Sequence, residues 1–97
     1  MEGCKRGNPC KESRECGWYS NEGTWFDVTF EECEEQAQNL NSFAFSYGIS
    51  GTEVAHMVMI HSTICMVCNE VDFHLRRTSL YASQSFGIYR GPKKGTF

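Results

Sequence analysis

The sequence predicts one α+β domain in which about five strands pack under a single amphipathic helix, with disulfides holding the layers together. Three observations carry this expectation. A well-capped helix pattern runs from Thr29 to about Leu40, and on both sides of it lie short runs with strand texture. Six cysteines sit at 4, 10, 16, 33, 65 and 68 in a chain of 97 residues, a length at which the core alone leaves a thin stability margin. Hydrophobic residues make up 40% and aromatics 13%, enough for a packed core, so wholesale disorder is set aside.

Residues 1–24 place Cys4, Cys10 and Cys16 among Gly, Asn, Pro, Ser and charged residues with no periodicity. Such an arm is expected to be irregular and pinned by covalent bonds rather than by burial. The core is assigned to residues 25–90. It opens on "WFDV", an aromatic and β-branched run suited to a first strand.

Thr29 then offers an N-cap, Glu32 completes a capping box three residues later, and Val28 is placed to staple against Cys33. Glu31, Glu32, Glu34 and Glu35 crowd the first turns, where the helix dipole favours negative charge. Phe30, Cys33, Ala37 and Leu40 recur at spacings of three and four on one face. Asn39 and Asn41 end the helix near residue 40.

In "FAFSYG", Phe43, Phe45 and Tyr47 alternate with small residues, the period of a strand with one large-residue face. "GISGT" is a turn. The apolar stretch "VAHMVMIHSTICMVC" divides near Ser62 and Thr63 into two strands, because an unbroken helix would leave it little polar face. Residues 70–84 read as a long loop or a short helix, and "SFGIY" is a last strand. The helix laid on this sheet makes one layer on another, with Cys33 facing the strands. Residues 91–97, with "GPKKG", form a flexible basic tail to which no function is assigned.

A net charge of -3 argues against non-specific binding to nucleic acid or an anionic membrane. No run approaches the roughly 18 apolar residues of a membrane span, so membrane insertion is not expected. The even cysteine count points to an oxidising compartment, hence to a secreted, extracellular protein. Met1 is followed by "EGCKRG" without the apolar stretch of a signal peptide, which fits either a mature form with an added initiator Met or a cytosolic protein, and the first is the reading taken.

The segments "FEECEEQAQNLNSFAFSYG", "TICMVC" and "FGIYR" together resemble the PAN/apple domain pattern over residues 25–90 or so. In that family a helix of the form x-E-x-C-x-x-x-C leads into a strand C-x-x-F-x-Y, and a central strand reads C-x-L. The resemblance implies a five-stranded antiparallel sheet cradling one helix, and a binding or adhesion module that recognises a protein or a glycan. Ala37 and Ser42 stand where the family usually has a second helix cysteine and its partner, so both halves of that bridge are absent together. No cysteine follows Cys68, and the family's terminus-to-terminus disulfide has no counterpart.

The retained helix-to-sheet bridge implies that Cys33 pairs with Cys65, with Cys68 as the competitor. Three residues apart on a strand, Cys65 and Cys68 face opposite sides of the sheet. Cys68 is then expected to reach one of Cys4, Cys10 or Cys16, and the remaining two arm cysteines to pair with each other.

Other chemistry is weighed against plainer readings. Cys65-x-x-Cys68 lies in an apolar β-rich run rather than at the helix N-terminus a redox pair uses. A zinc set of His61, Cys65, Cys68 and His74 would orphan four cysteines, so no metal and no cofactor is assigned. His56 and His61 read as packing residues of a strand. No nucleophile elbow, phosphate loop or HExxH motif is present, and the chain is not expected to be an enzyme. The candidate ligand-binding residues are Trp18, Tyr19, Arg76, Arg77 and Tyr81: Trp25 is assigned to the core, leaving Trp18 and Tyr19 as an exposed aromatic pair, and Arg76, Arg77 and Tyr81 can offer cations and an aromatic ring to a carboxylate or sugar. The alternative is a self-associating structural or matrix protein, or a durable secreted effector; a cytosolic zinc-binding domain is the third reading.

Overall fold

Local capping chemistry fixes where the helix begins and ends. In the computed structural model, which describes residues 4–50, 53–54, 57–58, 62–75 and 86–94, helix α1 spans Phe30–Asn39. The Thr29 hydroxyl accepts from the Glu32 N–H at 3.1 Å, and the Glu32 carboxylate accepts from the Thr29 N–H at 2.8 Å, completing the capping box. Asn41, at φ 49°, turns the chain out of the helix in the left-handed region that asparagine tolerates. The helix therefore stops one residue short of Leu40, which sits at the C-cap and is 40% exposed rather than part of the buried stripe.

Nine strands occur among the described residues: β1 Lys11–Glu12, β2 Arg14–Glu15, β3 Asn21–Phe26, β4 Ala44–Ser50, β5 Glu53–Val54, β6 Met57–Val58, β7 Ser62–Cys68, β8 His74–Leu75 and β9 Gly87–Arg90. Five of them form one antiparallel sheet in the order β1-β9-β4-β7-β3. The pairs β2–β8 and β5–β6 form two small ladders.

The main sheet has the expected number of strands but a different membership. Val54, Met57 and Val58, from the first part of the run beginning at Val54, pair in the β5–β6 ladder instead of the main sheet, while its second part forms β7; residues 55, 56 and 59–61 lie outside the described set. The fifth strand is β1, drawn from the supposedly irregular arm. Its pairing rests on backbone bonds, with the Cys10 N–H donating to the Ile88 carbonyl and the Ser13 N–H to the Phe86 carbonyl, each at 2.8 Å. Backbone bonds of this kind leave no hydrophobic period in the sequence. β3 likewise starts at Asn21, four residues before "WFDV", and ends at Phe26 because Asp27 adopts φ 58°. Within 70–84, His74 and Leu75 pair with the arm, and residues 76–85 lie outside the described set.

Alternation along β4 and β7 sends side chains to two buried faces. On one, Phe30, Cys33 and Ala37 of α1 pack on Phe45, Tyr47, Cys65, Val67 and Tyr89, with Trp25 and Val28 at the margin. Phe30 is the hub, its ring 4.8 Å from Tyr89 and 5.6 Å from both Phe45 and Tyr47. The Cys33–Cys65 disulfide fastens the helix here, with Cα atoms 5.6 Å apart. On the opposite face, Ala44, Ile64, Met66, Cys68, Phe86 and Ile88 are covered by Cys16 of the arm. The Cys16–Cys68 disulfide clamps that cover, and Cys4–Cys10 closes a short loop at the start of the arm.

Two expectations are corrected by this arrangement. The sheet is covered on both faces rather than one, because Cys68 points away from Cys65 and draws the arm across the far side. Phe43 precedes β4 and packs near Phe73, 6.3 Å away on the arm side, instead of joining Phe45 and Tyr47. Ala37 and Ser42 lie against each other, the Ser42 N–H donating to the Ala37 carbonyl at 3.0 Å. The Ser42 hydroxyl donates to the Cys68 carbonyl at 2.7 Å and accepts from the Ala44 N–H.

Burial pushes the Tyr89 phenol above its ordinary range, and a hydrogen bond with the Gly7 backbone offsets only part of this. The folded state resists the phenolate, so this group costs no stability below the unfolded value near 10, and stability declines as pH rises from about 10 through the raised folded value. Spectrophotometric titration at 295 nm is expected to show a Tyr89 tyrosinate transition above the ordinary phenol range. In Tyr89→Phe that transition disappears.

Candidate functional site

Residues 16–21 turn tightly between the arm and β3. Cys16 is buried and locked to Cys68, so the turn leaves from a fixed point on the sheet. The Asn21 side-chain amide donates to the Gly17 carbonyl at 2.8 Å and to the Trp18 carbonyl at 3.0 Å, folding the turn back on its own exit. The Asn21 carbonyl oxygen in turn accepts from the Thr24 hydroxyl at 3.1 Å. A Cβ at position 17 would meet the Ser20 hydroxyl, so a larger residue there would require the serine side chain to rotate away.

This frame presents Trp18 and Tyr19 outward. Tyr19 is fully exposed. Trp18 is 47% exposed, yet its indole Nε1 donates to the Glu15 carboxylate at 2.8 Å, and Glu15 is itself only 6% exposed. The ring is thus held by a buried anchor while much of its surface faces solvent. The β2–β8 ladder sets His74 opposite Glu15 and the exposed Leu75 opposite Arg14. The His74 Nε2 lies 3.5 Å from the Asp72 carboxylate.

A shallow cleft of about 220 Å³ lies at the same end of the sheet. It is bounded by Glu22 of β3, the α1–β4 connection at Leu40, Asn41 and Phe43, Asn69 after β7, and Lys93 after β9. Asn21 joins the two features, since it pairs with Cys68 in the sheet and its amide holds the turn.

Of the residues singled out in the sequence, Trp18 and Tyr19 are exposed together, and Trp25 lies against the helix-side core. Arg76, Arg77 and Tyr81 lie outside the described residues. Sequence reasoning passed over Glu15 and Asn21, the two side chains that shape the turn. Neither sits in a periodic or motif context, and only the finished turn reveals their work. No described cysteine has a free thiol. Among the described residues, no helix is long and apolar enough to cross a membrane.

The fold and its bridges define a small α+β protein stabilised by three disulfides. No family model matches the chain, and no curated protein and no solved structure is significantly similar to it.

Proposed function

We propose that this chain is a secreted, PAN/apple-like recognition module that binds an extracellular protein or glycan through the Trp18–Tyr19 turn. One observation carries the reading: a tryptophan ordered by a buried carboxylate and left half in solvent. Apolar surface left in water forgoes the roughly 25 cal/mol per Å² that burial would return. Immobilising that side chain in the free protein lowers the entropy lost when a partner docks. Tryptophan and tyrosine presented this way dominate the energetics of many recognition surfaces.

The PAN/apple assignment draws support from the antiparallel five-stranded sheet, the helix-to-strand Cys33–Cys65 bridge and the apposition of Ala37 with Ser42. Three disulfides in so short a chain suit an oxidising, extracellular setting. The turn gathers exposed aromatic contact surface, which suits recognition.

A glycan array probed with the intact, disulfide-bonded protein, run beside a pull-down from extracellular material, tests this reading. Saturable retention of one glycan class or one extracellular protein is the expected result. Silence on both contradicts it.

A further inference from the structure

Two backbone irregularities deliver polar side chains to the cleft beside the aromatic turn. In the β3–β7 ladder Asn21 pairs with Cys68 and Gly23 with Val67, so Glu22 is the extra residue of a bulge. Bulges re-aim a side chain away from the alternation of its strand. Asn41 leaves the helix in the left-handed region and lines the same cleft. Lys93 is held to the same rim by its backbone N–H, which donates to the Ser42 carbonyl at 3.1 Å.

The donor set is balanced. Glu22 only accepts, Lys93 only donates, and the amides of Asn41 and Asn69 each do both. The two formal charges cancel, so the cleft selects neither an anion nor a cation. Leu40 and Phe43 add apolar wall. A sugar ring has the complementary make-up, with hydroxyls that donate and accept around its edge and C–H faces that pack on apolar surface. At about 220 Å³ the cleft falls below the roughly 300–1,000 Å³ of drug-sized sites, which leaves room for a single ring.

We infer that this cleft holds one ring of a neutral saccharide, with Glu22, Asn41, Asn69 and Lys93 reading its hydroxyls and the Trp18–Tyr19 turn taking the neighbouring unit. The inference rests on the recognition reading above and names its ligand class. It is tested by ¹⁵N–¹H correlation spectra of the intact chain titrated with a panel of methyl hexosides and N-acetylhexosaminides, with free alanine as a zwitterionic comparator. At least one saccharide is expected to move the backbone amides of Asn41, Asn69 and Lys93 saturably. Glu22→Gln and Asn69→Ala are each expected to weaken that response about tenfold, the loss of one well-made polar contact, with dispersed spectra showing that both variants remain folded. An unchanged spectrum with every saccharide, or a cleft response to alanine alone, overturns the inference. Shifts confined to residues 17–20 overturn the cleft assignment while leaving the recognition turn standing.

Discussion

Replacing Cys16 and Cys68 together by alanine is expected to lower the unfolding free energy by about 4 kcal/mol at 25 °C, from the loop-closure entropy of the 52-residue separation this bridge spans. Against a total of about 5–15 kcal/mol for a domain, that is a large fraction, and for a chain of this size it brings the folded state close to melting. The same entropy argument gives about 3.5–4 kcal/mol for Cys33–Cys65, separated by 32 residues, and about 2 kcal/mol for Cys4–Cys10, separated by six. Urea midpoints of the three double variants check this order. The Cys16–Cys68 variant has a second expected defect that the others lack: its arm loses the anchor from which the aromatic turn departs, so ligand retention drops even under conditions where the sheet persists. Should the Cys4–Cys10 variant prove the least stable of the three, the picture of an arm clamped across the far face of the sheet fails.

What the sequence could announce depended on whether a feature was local and periodic. The capping box at Thr29 and Glu32 involves side chains three residues apart, and the alternation of Phe45 and Tyr47 is written into consecutive positions, so α1 and β4 were legible. The opposed orientation of Cys65 and Cys68 follows from strand geometry alone, and it divides the disulfides between the two faces as observed. β1 and the β2–β8 ladder are different in kind. They are two-residue pairings with exposed or mixed side chains, made by backbone bonds between distant segments, and the polar arm gives no sign of them.

The site divides along the same line. Trp18 and Tyr19 drew attention as aromatics in a polar segment. Their rigidity did not, because it depends on Glu15 becoming buried and on Asn21 folding back to Gly17 and Trp18. The cleft was illegible altogether: Glu22, Asn41, Asn69 and Lys93 are scattered over the chain and converge only when a bulge, a helix exit and two strand ends meet.

The recognition turn is tested most directly by the double variant Trp18→Ala/Tyr19→Ala, titrated against the glycan or protein that the intact chain retains. Both side chains are substantially exposed, and neither belongs to the clusters on the two faces of the sheet. The double variant is expected to stay folded but to lose about 1–3 kcal/mol of stability, because Trp18→Ala takes the indole N–H from the buried Glu15 carboxylate. Binding is therefore compared at a temperature where both proteins are folded. Affinity is expected to fall about a hundredfold, as loss of an aromatic hot spot would require. A folded double variant that binds its ligand as tightly as the parent would contradict the assignment of recognition to this turn.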